Sequence, residues 1–423
     1  IRERGGAVCV IAATEPKTDA ARHARSLFGG DVLGPDAMPQ GEVLVDCLFG
    51  SGLTRALSDD HLALLQRLAV SHPYRVAIDL PSGIESDTGI ALNADLPDYQ
   101  FTIALGAWKY AHFLMPVAAR MGALRLVGIG VARVPGAADV VRQPHMASPS
   151  ADAHKYRRGL LGVIGGDMPG AAVLSSLAGQ GAGAGYVKLL GESNIAPFDT
   201  LRMSGFGASA AMTSAQPELV EGHTLPPDLV HDSRPLAEIL TDSRWNALLV
   251  GPGLGRHGES RERLVIALGV QVPTAVDADA LMLLAPRLLA ERAAPLIATP
   301  HEGELAALEQ AFGCNGLGSK CDRARALAQV SGMIIVAKGP DTVIAAPDGR
   351  CAMSPRASSW LSTAGTGDVL AGCIASRLAT GDDGFVAACE GVWLHGEAAR
   401  LAGPAFTASQ LAASVRNAYA ACL

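Results

Sequence analysis

Apolar residues in this chain come in short blocks cut off by Gly, Pro or Asp, and the blocks alternate with stretches of helical spacing. In the first part the blocks are Val8–Ala13, Val43–Phe49, Arg75–Leu80, Phe101–Leu105 and Leu124–Val131, with helices predicted over Asp19–Leu27 and His61–Ser71. A second series begins at Leu160–Gly166 and passes through a helix of small residues, Ala171–Ala184. It recurs at Ala247–Val250, Thr274–Val276, Leu296–Ala298, Met333–Ala337 and Val343–Ala346, with a tight turn at Asp348-Gly349. Strands alternating with helices predict parallel sheets covered on both faces. Between the two series, Val134–Arg158 is rich in Pro, Ala, Asp, Ser and charge and reads as a connection. The expected organisation is an α/β domain over 1–140, a linker over 141–154 and a second α/β domain over 155–423.

Ligands on such sheets bind beyond the carboxyl ends of the strands, so the residues at the end of each block carry the most information. The richest stretch is Ser362–Gly372, where Gly365 and Gly367 bracket a threonine, Asp368 comes next, and Val369, Leu370, Cys373 and Ile374 take up helical spacing. A glycine turn feeding a helix N-terminus offers free N–H groups and a favourable dipole to an anion, most naturally a phosphate. Asp368 would repel that phosphate unless it takes a proton from a hydroxyl approaching the phosphorus; the other reading is an ordinary helix N-cap. Elsewhere Asp46, Asp79 and the Ser82 hydroxyl stand after strands as hard oxygen donors. They suit a cation or a ring hydroxyl, or simply satisfy turns. Asp277 and Asp279 could hold Mg²⁺ through water or cap the next helix, and His301 could touch a ligand or serve structure alone. His395 and the tail after Thr407 read as structural.

Composition narrows the field. Glycine accounts for 48 of 423 residues, an enrichment suited to many tight strand–helix turns. A net charge of −7 without a basic stripe argues against nucleic-acid binding, and no apolar run reaches the ~20 residues of a membrane helix. Eight scattered cysteines without a C-x-x-C pair read as reduced thiols, hence a cytoplasmic protein. The G-x-G-x-x-G fingerprint is not formed, and no acidic residue stands at its usual offset, which weighs against a dehydrogenase.

The motifs taken together resemble known families. V-D-x-L-F-G-x-G-L at Val45–Leu53, I-D-x-P-S-G at Ile78–Gly83 and D-T-G at Asp87–Gly89 are similar to the NAD(P)H-hydrate epimerase domain. That resemblance implies a Rossmann-like parallel-sheet domain, here incomplete, which interconverts the R and S epimers of hydrated NAD(P)H with the help of K⁺. It implies Asp46 and Ser82 as K⁺ ligands, Asp79 as the catalytic carboxylate, and Gly50, Ser51, Gly52, Leu53, Thr54, Arg55 and Ala56 lining the hydrate site. Lys109 agrees with the family's A-x-K ending. The family's G-N-N-G-G-D-G loop has no counterpart, and the chain starts at Ile1 rather than Met, so a fragment with impaired epimerase activity is expected.

G-P-G-L-G at Gly251–Gly255, D-A-D-A-L at Asp277–Leu281, T-P-H-x-G-E at Thr299–Glu304, A-K-G-x-x-T at Ala337–Thr342 and T-A-G-T-G-D-V-L-A-G at Thr363–Gly372 occur in that order. The set resembles the ADP- or ATP-dependent NAD(P)H-hydrate dehydratase family, which implies a ribokinase-like α/β fold. Both halves together resemble the bacterial bifunctional NAD(P)H-hydrate repair enzymes, a lyase joined to an isomerase. The implied nucleotide-binding residues are Lys338, Gly339, Pro340, Asp341, Thr342, Gly365 and Gly367, with ADP (or ATP) as co-substrate and Mg²⁺ beside it. Ala171, Gly253, His301 and Asp368 would contact the hydrate of NADH or NADPH, in a protein expected to be a homo-oligomer. One departure is Pro355–Trp360, where many relatives carry Gly and Asn. The alternatives are a ribokinase-like small-molecule kinase and, for residues 1–140, a non-catalytic ligand-binding scaffold.

Overall fold

The computed structural model describes residues 1–132, 134–191, 225–381 and 383–423. It divides into two units, Ile1–Val134 and Pro135–Leu423.

In the front unit, Val43–Asp46, Tyr74–Ile78, Phe101–Leu105 and Ala123–Val127 pair in sequence order as a parallel sheet. Ser58 caps helix Asp59–Ser71, which buries Leu64, Leu65 and Leu68. Leu65 joins Leu57, Leu80, Ile84 and Leu96 in the core. The other face departs from the expectation of a sheet covered on both sides: Val43, Val45 and Val127 are 50%, 37% and 43% exposed. The helix that could have covered it, Asp19–Phe28, buries none of its residues. Val10–Ile11 and Val32–Leu33 form a separate parallel pair.

The rear unit is built on ten strands among the described residues. Their order is Val230–Asp232, Tyr186–Leu190, Leu160–Ile164, Ala247–Val250, Thr274–Val276, Leu296–Ala298, Ile334–Ala337, Val343–Ala345, Cys351–Met353 and Asp139–Val140. Pairing is parallel as far as Ile334–Ala337, and an antiparallel hairpin comes next. Asp139–Val140, placed by sequence reading at the end of the front domain, is instead the edge strand of this sheet. The expected linker also packs on the rear unit, where Val141 and Met146 are buried and Met146 N–H donates to the Cys422 carbonyl at 2.9 Å.

The central strands are buried along their whole length, as a sheet covered on both faces requires. Helices Pro169–Gly181, Thr366–Ala379, Gly384–Ala402 and Ala408–Ala420 pack together. Leu370, Ile374 and Ala388 from this group share a core with Leu249, Ala275, Ile297 and Val336 of the strands. A second group, Gly258–Gly269, Asp279–Leu283, Glu302–Phe312 and Lys320–Ser331, runs in a chain of successive contacts. Gly372 lies directly on the Ser175 carbonyl, so a Cβ there would overlap it and only glycine permits this approach of two helices. No helix among the described residues is long and apolar enough to cross a membrane.

Candidate functional site

Four strands of the rear sheet end together and hand their loops to one edge: Gly251–Gly255, Asp277–Asp279, Thr299–Glu304 and Lys338–Thr342. Helix Thr366–Ala379 has Gly365 as its N-cap, at φ 87°, with no side-chain cap bond; Thr366 N–H donates to the Thr363 carbonyl at 3.3 Å, and among the described residues no side chain bonds the N–H groups of Gly367 and Asp368. Asp368 is therefore not the N-cap but an acidic residue of the first turn. Behind the turn, the Thr366 hydroxyl donates to the Leu361 and Thr363 carbonyls at 2.8 Å each. The Thr366 carbonyl accepts from His395 Nε2–H at 2.9 Å, and burial pushes His395 down to about 4, so it stays neutral. His395 thus braces the glycine turn through the Thr366 carbonyl.

Asp368 is pushed up to about 6, first by burial and then by the nearby Asp277 carboxylate, with Lys338 pulling the other way. The Lys338 ammonium reaches Asp277 Oδ1 at 2.6 Å and lies 3.9 Å from Glu304 Oε2. It also sits 3.7 Å from where a Cβ on Gly367 would be, beside the glycine turn. Thr299 Oγ1 donates to the same Asp277 oxygen at 2.7 Å. A cation, a glycine turn at a helix N-terminus and a carboxylate with raised affinity for a proton are thereby brought together.

His301 caps helix Glu302–Phe312: its Nδ1 accepts the Gly303 and Glu304 N–H groups at 3.0 and 3.2 Å. That leaves the ring proton on Nε2, which lies 3.4 Å from Glu304 Oε1 on a side chain 62% exposed. The cap occupies Nδ1 alone, so the structural reading of His301 does not exclude the ligand-facing one. Glu304 returns the cap by accepting His301 N–H at 2.8 Å, and burial holds its carboxyl above the ordinary range against the pull of Lys338.

Gly253, at φ 64°, packs against the Met168 carbonyl so closely that a Cβ would overlap it, and its own carbonyl accepts Met168 N–H at 2.9 Å. This contact brings the Gly253 turn to the start of helix Pro169–Gly181, which carries half-buried Ala171. In the loop Lys338–Thr342, Gly339 and Pro340 are exposed, whereas the Asp341 carboxylate is buried against Lys320 at 2.6 Å. Thr342 Oγ1 closes the loop, accepting Gly339 N–H at 3.2 Å and donating to the Gly339 carbonyl at 2.8 Å. Asp277 and Asp279 enter different networks, since Asp279 accepts Gly255 N–H at 3.1 Å and Arg256 Nε at 2.6 Å. Among the described residues no three His, Cys, Asp or Glu side chains gather as a metal cluster.

In the front unit Asp46 and Ser82 do meet. Asp46 Oδ1 accepts the Ser82 hydroxyl at 2.7 Å and Leu48 N–H at 3.1 Å, and Oδ2 accepts Ser82 N–H at 2.9 Å and the Tyr99 hydroxyl at 2.6 Å. Asp79 has φ 69°, rare for a non-glycine residue. Burial pushes its carboxyl up, but hydrogen bonds from Lys109, Leu105 N–H and Ser51 outweigh that and hold it below the usual range. Lys109, the lysine of the A-x-K ending, is paired with Asp79. Gly50 and Ser51 border Asp79, with Ser51 N–H donating to Oδ2 at 3.1 Å. Gly52, Thr54, Arg55 and Ala56 continue as an exposed turn from which Leu53 points into the core. Tyr99, Glu304, Lys320 and His395 had no assigned role from sequence; of these, Glu304 could have been found, because a Glu three residues after a capping position is a recognisable signature.

A family profile described as NAD(P)H-hydrate dehydratase matches residues 161–419, and one described as YjeF-related protein N-terminus matches residues 5–111. A bifunctional NAD(P)H-hydrate repair enzyme of Mycobacterium tuberculosis is 33% identical over 394 residues, covering 90% of this chain and 74% of the relative. One from Moorella thermoacetica is 31% identical, covering 87% and 70%. Among solved structures, the ADP/ATP-dependent NAD(P)H-hydrate dehydratase of Bacillus subtilis, co-crystallised with ATP/Mg²⁺, is 26% identical. It covers 66% of this chain and 95% of its own, with a TM-score of 0.51. A ribokinase-like superfamily protein of Enterococcus faecalis, 19% identical with a TM-score of 0.53 over 69% of this chain and 98% of its own, shares the fold. Fold and site thus define a metabolite-repair enzyme whose rear domain is ribokinase-like. The chain belongs to the bifunctional NAD(P)H-hydrate repair enzymes, which join a dehydratase to an epimerase domain.

Proposed function

We propose that the rear domain dehydrates the S epimer of hydrated NADH or NADPH using ADP, releasing AMP and phosphate. The observation that carries this reading is Asp368, pushed up to about 6, in the first turn of a helix whose glycine N-terminus lies beside the Lys338 ammonium. Asp368 takes the proton of the ring hydroxyl as its oxygen attacks the terminal phosphorus of ADP, and AMP departs. The N–H groups of the Gly365–Gly367 turn and Lys338 hold the phosphoryl oxygens while charge shifts. The ring phosphoester then loses phosphate together with a proton from the neighbouring carbon, which restores the dihydropyridine. His301 Nε2–H, Gly253 and Ala171 position the hydrate, and Lys338–Thr342 with Gly365 and Gly367 hold the nucleotide.

A magnesium ion with the nucleotide fits Asp277, where Lys338 and Thr299 both use Oδ1 and Oδ2 remains for a bound water. Its chemistry there would be neutralisation of phosphate charge. For the front domain we propose interconversion of the R and S hydrates. Potassium fits Asp46 and Ser82 if the Ser82 proton turns from Asp46 to the Phe49 carbonyl, 3.2 Å away, which frees a lone pair on Asp46 Oδ1 and redirects the one that Ser82 Oγ does not use for Phe49 N–H. Asp79, paired with Lys109, is the charged group facing the Gly50–Ala56 turn. All eight cysteines are free thiols, which supports a reducing, cytoplasmic setting.

The test is chemically hydrated NADH incubated with ADP or ATP, following dihydronicotinamide absorbance and free phosphate together. The expected result is equal release of both. A stable phosphoester without absorbance would make the protein a small-molecule kinase, and hydrate binding without K⁺-dependent epimer exchange would make the front domain a scaffold.

A further inference from the structure

We infer that Lys320 is the positioning residue of the nucleotide loop, an inference that rests on reading Lys338–Thr342 as that loop. Lys320 opens helix Lys320–Ser331, whose start is fixed by reciprocal bonds between Ser319 and Asp322. From this anchored base its ammonium reaches into the loop and donates to the Lys338 carbonyl at 3.0 Å and to Asp341 Oδ1 at 2.6 Å. Both side chains of the ion pair are nearly closed to solvent, at 11% and 9% exposure. Exposed lysine–carboxylate pairs do little, whereas a buried one constrains geometry strongly, because breaking it strands a charge.

The loop is shaped by this pair in three ways. The Lys338 residue is held on both sides, since its N–H donates to the Pro300 carbonyl at 2.7 Å while its carbonyl is drawn to Lys320. In a trans peptide the C=O and the next N–H point in opposite directions. Drawing the Lys338 carbonyl toward Lys320 therefore turns Gly339 N–H toward Thr342 Oγ1, which accepts it at 3.2 Å. Finally, Lys320 sets a positive charge against the Asp341 carboxylate, in a loop read as receiving phosphate. Gly339 shows how tightly the pair is built in: a Cβ there would come to 2.5 Å from the Lys320 ammonium and 2.7 Å from Asp341 Oδ1. Lys320 itself sits behind the loop and acts through Lys338 and Asp341.

The test uses the full chain with Lys320→Met, Lys320→Arg and Lys320→Gln, reading KM for ADP, KM for hydrate, kcat and melting temperature. K320M is expected to raise KM for ADP about ten-fold or more, as loss of a charged hydrogen-bonding group does. KM for hydrate should stay unchanged, and K320R should recover most of the nucleotide affinity. If K320M does not fold, K320Q, which keeps a donor for the Lys338 carbonyl but not the ion pair, carries the same comparison. A lower melting temperature with an unchanged KM for ADP overturns the inference, as does an equal rise in both KM values. Direct calorimetry of ADP on the wild-type protein separates the two layers: no binding there removes the nucleotide-loop reading itself, whereas normal binding in wild type and K320M alike removes only Lys320.

Discussion

Replacing Asp368 by Asn should cost activity and yet raise stability, and the structure sets the size and pH range of the second effect. Burial and the Asp277 charge lift this carboxyl from its ordinary 3.8 to about 6. At about 1.36 kcal/mol per unit, a rise of this size makes the ionised form roughly 1–3 kcal/mol costlier in the folded protein than in the unfolded chain. The folded state therefore binds the proton more tightly. Its favourable contribution is complete below the unfolded value near 3.8 and is lost as pH rises through about 6. Asparagine resembles the protonated form and carries no such penalty. Denaturant unfolding of D368N and wild type should then show the variant more stable by roughly 1–3 kcal/mol at about pH 7.5, with the gain gone near pH 4. In the same preparation turnover of hydrated NADH should fall by at least ~10²-fold while ADP binding largely persists. A variant less stable than wild type at neutral pH, or a gain independent of pH, would refute the desolvated-base reasoning. Near-normal turnover would remove Asp368 from the mechanism.

Lys338 pulls the Asp368 carboxyl down, so Lys338→Met should move the acid limb of kcat/KM above its wild-type position near pH 6; a limb that stays put or moves down contradicts the arrangement. Gly365→Ala forces a side chain into φ 87° with its Cβ 2.9 Å from that of Ala408, so it should destabilise the rear domain by about 1–2 kcal/mol and weaken ADP binding, read by thermal unfolding and calorimetry. In the front domain Tyr99→Phe strips Asp46 Oδ2 of a buried donor at 2.6 Å and should cost about 1–3 kcal/mol, measured by denaturant unfolding.

The sequence was most legible where chain-local rules act. Buried parallel strands must be apolar throughout, and the loops leaving them need glycine or short polar residues. For that reason the ends at Val250, Val276, Ala298 and Ala337, and the turn before Asp368, stand out in the one-dimensional pattern. What stayed hidden depends on pairing across long separations. Asp139–Val140 carries no strand signal of its own and becomes a strand because Cys351–Met353 offers an open edge. Lys320 looks like any helix-start lysine until the fold brings Asp341 beside it. Tyr99 meets Asp46 across 53 residues, a distance at which no local pattern helps. The open face of the front sheet was likewise invisible, because Val43 and Val45 have the same apolar signature whether or not a helix covers them.

The seating of Gly372 on the Ser175 carbonyl has a bearing on how the enzyme is gauged. On the proposed function, one of these two helices begins at the phosphoryl end of the chemistry and the other carries Ala171 at the hydrate end, so their contact would work like the pivot of a pair of calipers. The spacing of the two helices is thereby set by backbone pressed on backbone, a joint that any side chain at position 372 would force apart.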